Sequence, residues 1–177
     1  MTINLQLTDK NTLRERARVN VDKGAVTEGY SGDREEIIRL LNESLATELV
    51  CVLRYKRHYF MANGLKSSIA ADEFLEHAQQ ESEHADKLAE RIVQLGGEPE
   101  FNPDLISGLS HAQYVAGSTL KEMVYEDLVA ERIAVDSYRE IIQYIGEKDP
   151  TTRRIFEDIL AQEEEHADDM ADIYNSL

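Results

Sequence analysis

The sequence predicts an all-α fold, a four-helix bundle of two antiparallel hairpins joined by a long crossover and preceded by an arm. Three observations predict it. Four long segments carry apolar residues at helical spacing. Caps, glycines and prolines fall between those segments, where helices start and stop. The three connections run short, long, short. Only 3 prolines and 9 glycines among 177 residues, and no tryptophan, suit long uninterrupted helices.

Residues 1–32 lack sustained periodicity and read as an N-terminal arm, with a short helix at 11–18; residues 33–177 form the bundle domain. Asp33 is placed to cap helix A, with Glu35 and Glu36 in its first turn where negative charge suits the helix dipole, and Gly64 ends it. Helix B runs from Ser68 to Leu95, stopped by Gly96-Gly97 with Pro99 beyond. Helix C opens on a capping box, Thr119-x-x-Glu122, and closes near Gly146. Asp149-Pro150 supplies an N-cap and an N1 proline for helix D, which continues almost to the end. The stretch from Gly97 to Ser118 is long enough to cross the whole bundle, with room for a small helix around Leu109–Ala116.

Composition bounds the function. Apolar content of 42% with 31% charged residues suits a soluble helical domain. Residues 1–20 show no apolar h-region, and no apolar run reaches membrane-spanning length. A single cysteine, Cys51, excludes an internal disulfide framework and makes a reducing cytoplasm the expected setting. The net charge of −16 opposes nonspecific nucleic-acid binding and favours attraction of cations. That charge is uneven: residues 1–32 hold five basic against four acidic side chains, and the remainder carries nearly all the excess.

Two heptapeptides nearly repeat, Gln80-Glu-Ser-Glu-His-Ala-Asp86 and Gln162-Glu-Glu-Glu-His-Ala-Asp168. Each contains Glu-x-x-His, and i, i+3 spacing puts carboxylate and imidazole on one helix face. Glu48 precedes Glu81 by 33 residues and Glu131 precedes Glu163 by 32; each lone glutamate is followed seven residues later by tyrosine, Tyr55 or Tyr138. The chain therefore reads as a duplicated helix pair. Moreover, the acids fall on the apolar stripes: Glu48 within Ile37-Leu41-Val52-Tyr55-Tyr59, Glu81 within Phe74-Ala78-Ala85-Leu88-Ile92-Leu95, Glu131 within Val124-Leu128-Val135-Tyr138-Ile142, Glu163 within Phe156-Ile159-Met170-Ile173. Four unpartnered carboxylates in one core would each cost on the order of several kcal/mol, against a total stability of about 5–15 kcal/mol. Either cations offset them, or the stripes are not the core faces they resemble. Glu48, Glu81, His84, Glu131, Glu163 and His166 form a mixed oxygen and nitrogen set suited to Fe²⁺, Mn²⁺ or Zn²⁺, and bridging glutamates can hold two metals together.

The bland alternatives are specific. One Glu-x-x-His on an acidic helix is commonly a surface pair; two matching copies with equally offset partners are not. Glu83, Glu164 and Glu165 lie off the ligand face and read as solvated. His77, one turn before Glu81 and on its face, reads as a helix-surface histidine, with an auxiliary metal role as the other reading. His58 and His111 carry no independent signal. Tyr55 suits either plain core or a hydrogen bond or electron transfer to the site, and Cys51 suits a small buried hydrophobe.

The run Leu41-Asn-Glu-Ser-Leu-Ala-Thr-Glu48-Leu49 with Tyr55 and His58 resembles the first helix of bacterioferritins. Glu81-x-x-His84-Ala85-Asp86-Lys87-Leu88, followed by Leu95-x-Gly97-x-Pro99, is similar to their second helix and its exit. Asp127-Leu128-x-x-Glu131 with Tyr138-Arg139, and Ile159-Leu160-x-x-Glu163-Glu164-x-His166, resemble the third and fourth. The resemblance covers residues 34–170 and implies a ferritin-like bundle with a ferroxidase centre, in which Glu48, His84, Glu131 and His166 are terminal ligands and Glu81 and Glu163 bridge two iron ions per subunit.

Three departures refine what it implies. Haem-binding bacterioferritins place methionine after the second-helix glutamate, where this chain has Ser82, so haem is not expected. Eleven residues follow His166, too few for the fifth helix of 24-subunit cages. The arm and enlarged crossover are more similar to Dps-type mini-ferritins. Dps-like proteins with a bacterioferritin-type site often carry a cysteine pair beside it; this chain has one cysteine. The expectation is a homo-oligomeric shell of twelve subunits storing ferric mineral, fed by Fe²⁺ and O₂ or H₂O₂. Two other readings stay open: a non-storing oxidase or peroxidase of rubrerythrin or manganese-catalase type, and a DNA-coating protein using Lys10, Arg14, Arg16, Arg18 and Lys23, which the acidic body opposes.

Overall fold

The computed structural model describes residues 7–62 and 68–177. Among the described residues there are six α-helices and no strand: α1 Lys10–Arg16, α2 Arg34–Met61, α3 Ser68–Gln94, α4 Pro103–Leu109, α5 Leu120–Ile145 and α6 Pro150–Ser176, with a 3₁₀ turn at Val21–Lys23. Helices A to D of the sequence reading are α2, α3, α5 and α6.

Each start has a local cause. Asp33 accepts a hydrogen bond from the Glu36 amide, Thr119 and Glu122 complete both halves of the capping box, and Asp149 accepts from the Thr152 amide ahead of Pro150. The stop after α3 is a Schellman turn: Gly97 N–H donates to Ile92 O and Gly96 N–H to Val93 O, with Gly96 at φ +77°. A Cβ on Gly97 would approach Ile38 Cγ2 to 2.8 Å, so close helix contact also demands glycine there. The expected stop at Gly64 lies outside the described residues; α2 ends at Met61, capped by Ala62.

One expectation is corrected. The crossover helix is α4 at 103–109, and residues 110–117 are not helical. The reason is local: the Asn102 side chain caps the Asp104 amide and Pro103 occupies the first turn.

The four long helices pair as α2 with α3 and α5 with α6. Cross-bundle contacts give the directions. Arg54 meets Asp127 while Glu48 meets Tyr138, so α2 and α5 are antiparallel. Likewise His84 meets Gln162 while Gln80 meets His166, so α3 and α6 are antiparallel. Two apolar clusters fill the ends of the bundle. One contains Leu41, Leu45, Leu88, Ile92, Tyr138, Ile145 and Phe156; the other contains Cys51, Tyr55, Phe74, Met123, Val124 and Met170. A polar layer separates them at mid-height.

Charges that pattern alone assigns to solvent are buried here. Arg54 donates to Asp127 Oδ1 at 2.6 Å and to the Gln113 carbonyl, while His58 bridges Asp127 Oδ2 and the Ala116 carbonyl. This network ties the crossover to α2 and α5. A second network joins Arg91, Asp149, Thr152 and Tyr30 where α3 ends and α6 begins. Before Ile37 no described side chain is buried.

Candidate metal centre

The polar layer holds all six predicted residues. Glu48 comes from α2, Glu81 and His84 from α3, Glu131 from α5, and Glu163 and His166 from α6; none is more than 2% exposed. They are placed by the stripe positions that otherwise carry apolar residues, so the helices that build the core also aim them inward.

They form two overlapping groups: Glu48, Glu81, His84 and Glu163, and Glu81, Glu131, Glu163 and His166. Within each group the ligand atoms lie within 4.8 Å of one another. His84 Nδ1 stands 2.9 Å from Glu163 Oε1, 3.5 Å from Glu48 Oε2 and 3.6 Å from Glu81 Oε2. His166 Nδ1 stands 3.5 Å from Glu163 Oε2, 3.6 Å from Glu81 Oε1 and 3.8 Å from Glu131 Oε2. Glu81 and Glu163 thus present one oxygen to each group, while Glu48 and Glu131 each serve one.

The surrounding hydrogen bonds repeat the same symmetry. Tyr55 O–H donates to Glu131 Oε1, and Tyr138 O–H to Glu48 Oε1. His84 Nε2 pairs with Gln162 Oε1 at 2.9 Å and His166 Nε2 with Gln80 Oε1 at 2.6 Å. An amide oxygen only accepts, so each Nε2 carries the proton and, in the neutral ring, each Nδ1 lone pair faces the glutamates. These tyrosines and glutamines orient four of the six residues, Glu48, Glu131, His84 and His166, and the glutamines belong to the repeated heptapeptides. Tyr55 therefore reaches the glutamate of the opposite hairpin, a pairing no spacing on its own helix reveals.

What is left over tests the fit of a metal. Both oxygens of Glu81, both of Glu163, Glu131 Oε2 and the Nδ1 atoms of His84 and His166 are buried without a hydrogen-bond partner. These are acceptors and ring nitrogens facing one space. Buried polar groups are normally paired, and a concentration of unpartnered acceptors at one place is a pattern that bound cations would satisfy. The donor set fits two divalent ions of the iron, manganese or zinc type.

Burial and close packing shift the proton affinities of these groups. Burial, then the charge of Glu81, pushes Glu48 well above the usual carboxylate range. Burial, then Glu48, pushes Glu163 up to about 8. Burial would lower His166, but Glu131 and Glu163 outweigh it and push it up to about 12; His84 is raised in the same way, by Glu163 and Glu48. Glu131 is held down to about 2 against its burial by His166 and Tyr55. Burial, then the neighbouring glutamates, raises both tyrosines, keeping their hydroxyls as donors.

Some predicted placements need correction. His77 is not on the surface: it is 1% exposed, its Nδ1 lies 3.2 Å from Tyr55 Oη, and its ring stacks on His166 with centroids 4.0 Å apart. A third helix, α6, covers it. His58 is fully buried against Asp127. Glu83, Glu164 and Glu165 are exposed, as their positions predict. Cys51 is buried with a free thiol. Gln80, Gln162, Tyr138 and His77 are the site residues a reading of ligands alone misses; their signal is that they share a helix face with a predicted ligand or immediately precede one.

The geometry has parallels among known proteins. A family profile described as a ferritin-like domain matches residues 38–177. A bacterioferritin of Mycobacterium avium is 33% identical over 138 residues, covering 75% of this chain and 80% of its own. A bacterioferritin of Brucella melitensis is 35% identical over 136 residues, covering 75% and 79%. Among solved structures, the bacterioferritin-related protein of Bacteroides fragilis, a dodecameric thioferritin, superposes with a TM-score of 0.79 at 30% identity, over 82% of this chain and 88% of that one. Dps of Thermosynechococcus elongatus, at 19% identity and TM-score 0.75, shares the fold over 78% of this chain and 89% of its own. With a matching profile over most of its length and relatives above 30% identity, the chain belongs to the ferritin-like family and has bacterioferritins as homologues.

Proposed function

We propose that this protein is an iron-storage and detoxification ferroxidase: it binds two Fe²⁺ as substrate between its four helices, oxidises them with O₂ or H₂O₂, and passes ferric product to the interior of a shell. The observation that carries the reading is the set of seven orphaned buried ligand atoms, drawn from α3, α5 and α6 around one hollow. His84 and Glu48 would hold one ion, His166 and Glu131 the other, and Glu81 and Glu163 would bridge them. Each ion supplies one electron, so a pair matches the two-electron reduction of either oxidant.

The chain's own part is positioning and charge. Tyr55, Tyr138, Gln80 and Gln162 hold Glu131, Glu48, His166 and His84 in place, and such supporting partners tune affinity as well as geometry. Four carboxylates and two neutral imidazoles neutralise two Fe²⁺, leaving the added charge of Fe³⁺ unbalanced; that favours onward movement of product. A net charge of −16 raises local cation concentration. Twelve subunits is the assembly we propose, supported by the dodecameric relative.

The test is an anaerobic Fe²⁺ titration of metal-free protein, then O₂ or H₂O₂ and sizing of the product. Two tightly bound irons per chain, rapid oxidation and many more irons retained in a soluble particle are expected. Turnover without retention would replace storage by an oxidase or peroxidase function, and no tight binding would overturn the reading.

A further inference from the structure

The two halves of the centre differ in one place. α3 and α6 correspond at an offset of 82 residues, which relates Gln80 to Gln162, Glu81 to Glu163 and His84 to His166. At the same offset, His77 corresponds to Ile159, Glu73 to Ile155 and Asp169 to Lys87. One half therefore carries three potential ligands where the other carries two isoleucines and a lysine. The three converge: ligand atoms of Glu73, His77 and Asp169 lie within 4.8 Å of one another.

The state of His77 follows from its neighbours. Tyr55 has spent its hydroxyl proton on Glu131, so the Tyr55 oxygen is left to accept from His77 Nδ1. Nδ1 then carries the ring proton, and Nε2 of the neutral ring has a bare lone pair. That lone pair faces two further acceptors, Asp169 Oδ2 at 3.5 Å and Glu73 Oε2 at 3.7 Å. Among the described residues no donor stands between these three acceptors, and the imidazole is buried. Distances of 3.5–3.7 Å exceed a hydrogen bond. They match the edge of a tetrahedron around one ion with bonds of about 2.1 Å, roughly 3.4 Å.

We propose that Glu73, His77 and Asp169 form a third metal site, which takes one divalent transition-metal ion at the outer edge of the paired centre. Glu73 and Asp169 are partly exposed, 34% and 46% at the side chain, and open to solvent; His77 is their buried apex. Its ring lies on His166, so an ion held here stands next to the centre and on its solvent side. One imidazole and two carboxylates with open positions suit capture and release of an ion better than permanent retention. As a waiting position for Fe²⁺ it rests on the proposed ferroxidase function; as a metal site it does not.

The test is anaerobic titration of the metal-free full-length protein with Co²⁺, read by its visible absorption, for wild type and the double variant Glu73→Gln/Asp169→Asn. Both positions are partly exposed and both changes conserve shape, and circular dichroism checks the helices. Three equivalents per chain for wild type and two for the variant are expected. Two for both would overturn the third site and leave the paired centre standing, and three for both would place the extra ion elsewhere and equally overturn it. One for wild type and none for the variant would keep the third site and remove the paired centre. No binding by either would remove both.

Discussion

Tyr55 donates its hydroxyl proton at 2.5 Å to Oε1 of Glu131, a glutamate of the opposite hairpin. Tyr138 returns the same bond to Glu48. The lone glutamates are thus oriented from across the bundle, and each half of the chain completes the other's site. Tyr138→Phe removes one donor without changing ring volume. We expect metal affinity of the adjoining site to fall by about 10–100-fold, the scale for lost supporting bonds, with little change in fold. Metal titration monitored by calorimetry checks this; unchanged affinity would show that Glu48 is positioned by its helix alone.

Glu81 carries two buried oxygens without partners. Replacing it with methionine removes both orphans at similar volume. The metal-free variant is expected to be more stable than wild type by about 1–3 kcal/mol, the penalty of unsatisfied buried groups, yet to lose rapid Fe²⁺ oxidation and the thermal stabilisation by metal. Thermal unfolding with and without metal measures both effects; a less stable metal-free variant would contradict the orphan argument.

Metal binding should release protons. Glu163 is pushed up to about 8 and His166 up to about 12 without metal, so both carry protons near neutrality that an ion must displace. Affinity therefore rises with pH, and falls as acid restores those protons. Calorimetric titrations in two buffers of different ionisation enthalpy count them; Glu48 and His84 are raised as well, so at least about two per pair of ions are expected. Affinity independent of pH between about 6 and 8 would refute this assignment of protons.

Asp127 is fully buried between Arg54 and His58. Asp127→Ala leaves a buried guanidinium uncompensated and loosens the crossover held by the Gln113 and Ala116 carbonyls. A loss of about 3–5 kcal/mol is expected in denaturant unfolding. A loss below about 1 kcal/mol, the level of a surface pair, would mean the network is solvated in solution.

Asp149 contributes an acid dependence. Burial would raise its carboxyl, but the Thr152 hydroxyl and amide, with Arg91 and Tyr30, hold it below its ordinary value. A depressed folded value adds stability above the unfolded value of about 3.9, and that stability is lost as pH falls through the lower folded value. Asp149→Asn should therefore destabilise at neutral pH and flatten the acid limb of the stability curve, which acid unfolding of the metal-free protein measures.

The helices and six candidate ligands were legible because they depend on neighbours three, four or seven positions away. Asp33, Thr119 and Asp149 announce their helices locally, and an acid in an apolar stripe stands out against its own turn. His77 was misplaced to the surface because its cover is Asp169 and His166 on another helix. Arg54 and Asp127, 73 positions apart, each resemble an ordinary solvent-facing charge until the fold joins them. The crossover helix lies at 103–109, not 109–116, because Asn102 and Pro103 start it.

By itself, then, the sequence determined where the four long helices start, the hairpin–crossover–hairpin order, and which faces carry carboxylate and imidazole. Those properties are encoded by periodicity and capping within a few turns. Only the tertiary structure decided which carboxylates face both groups, which tyrosine serves which glutamate, that Gln80 and Gln162 set the imidazole tautomers, and that His77 faces Glu73 and Asp169. Each of these is a contact between helices, set by the antiparallel register in which four stripes close on one another, and no single stripe contains that register.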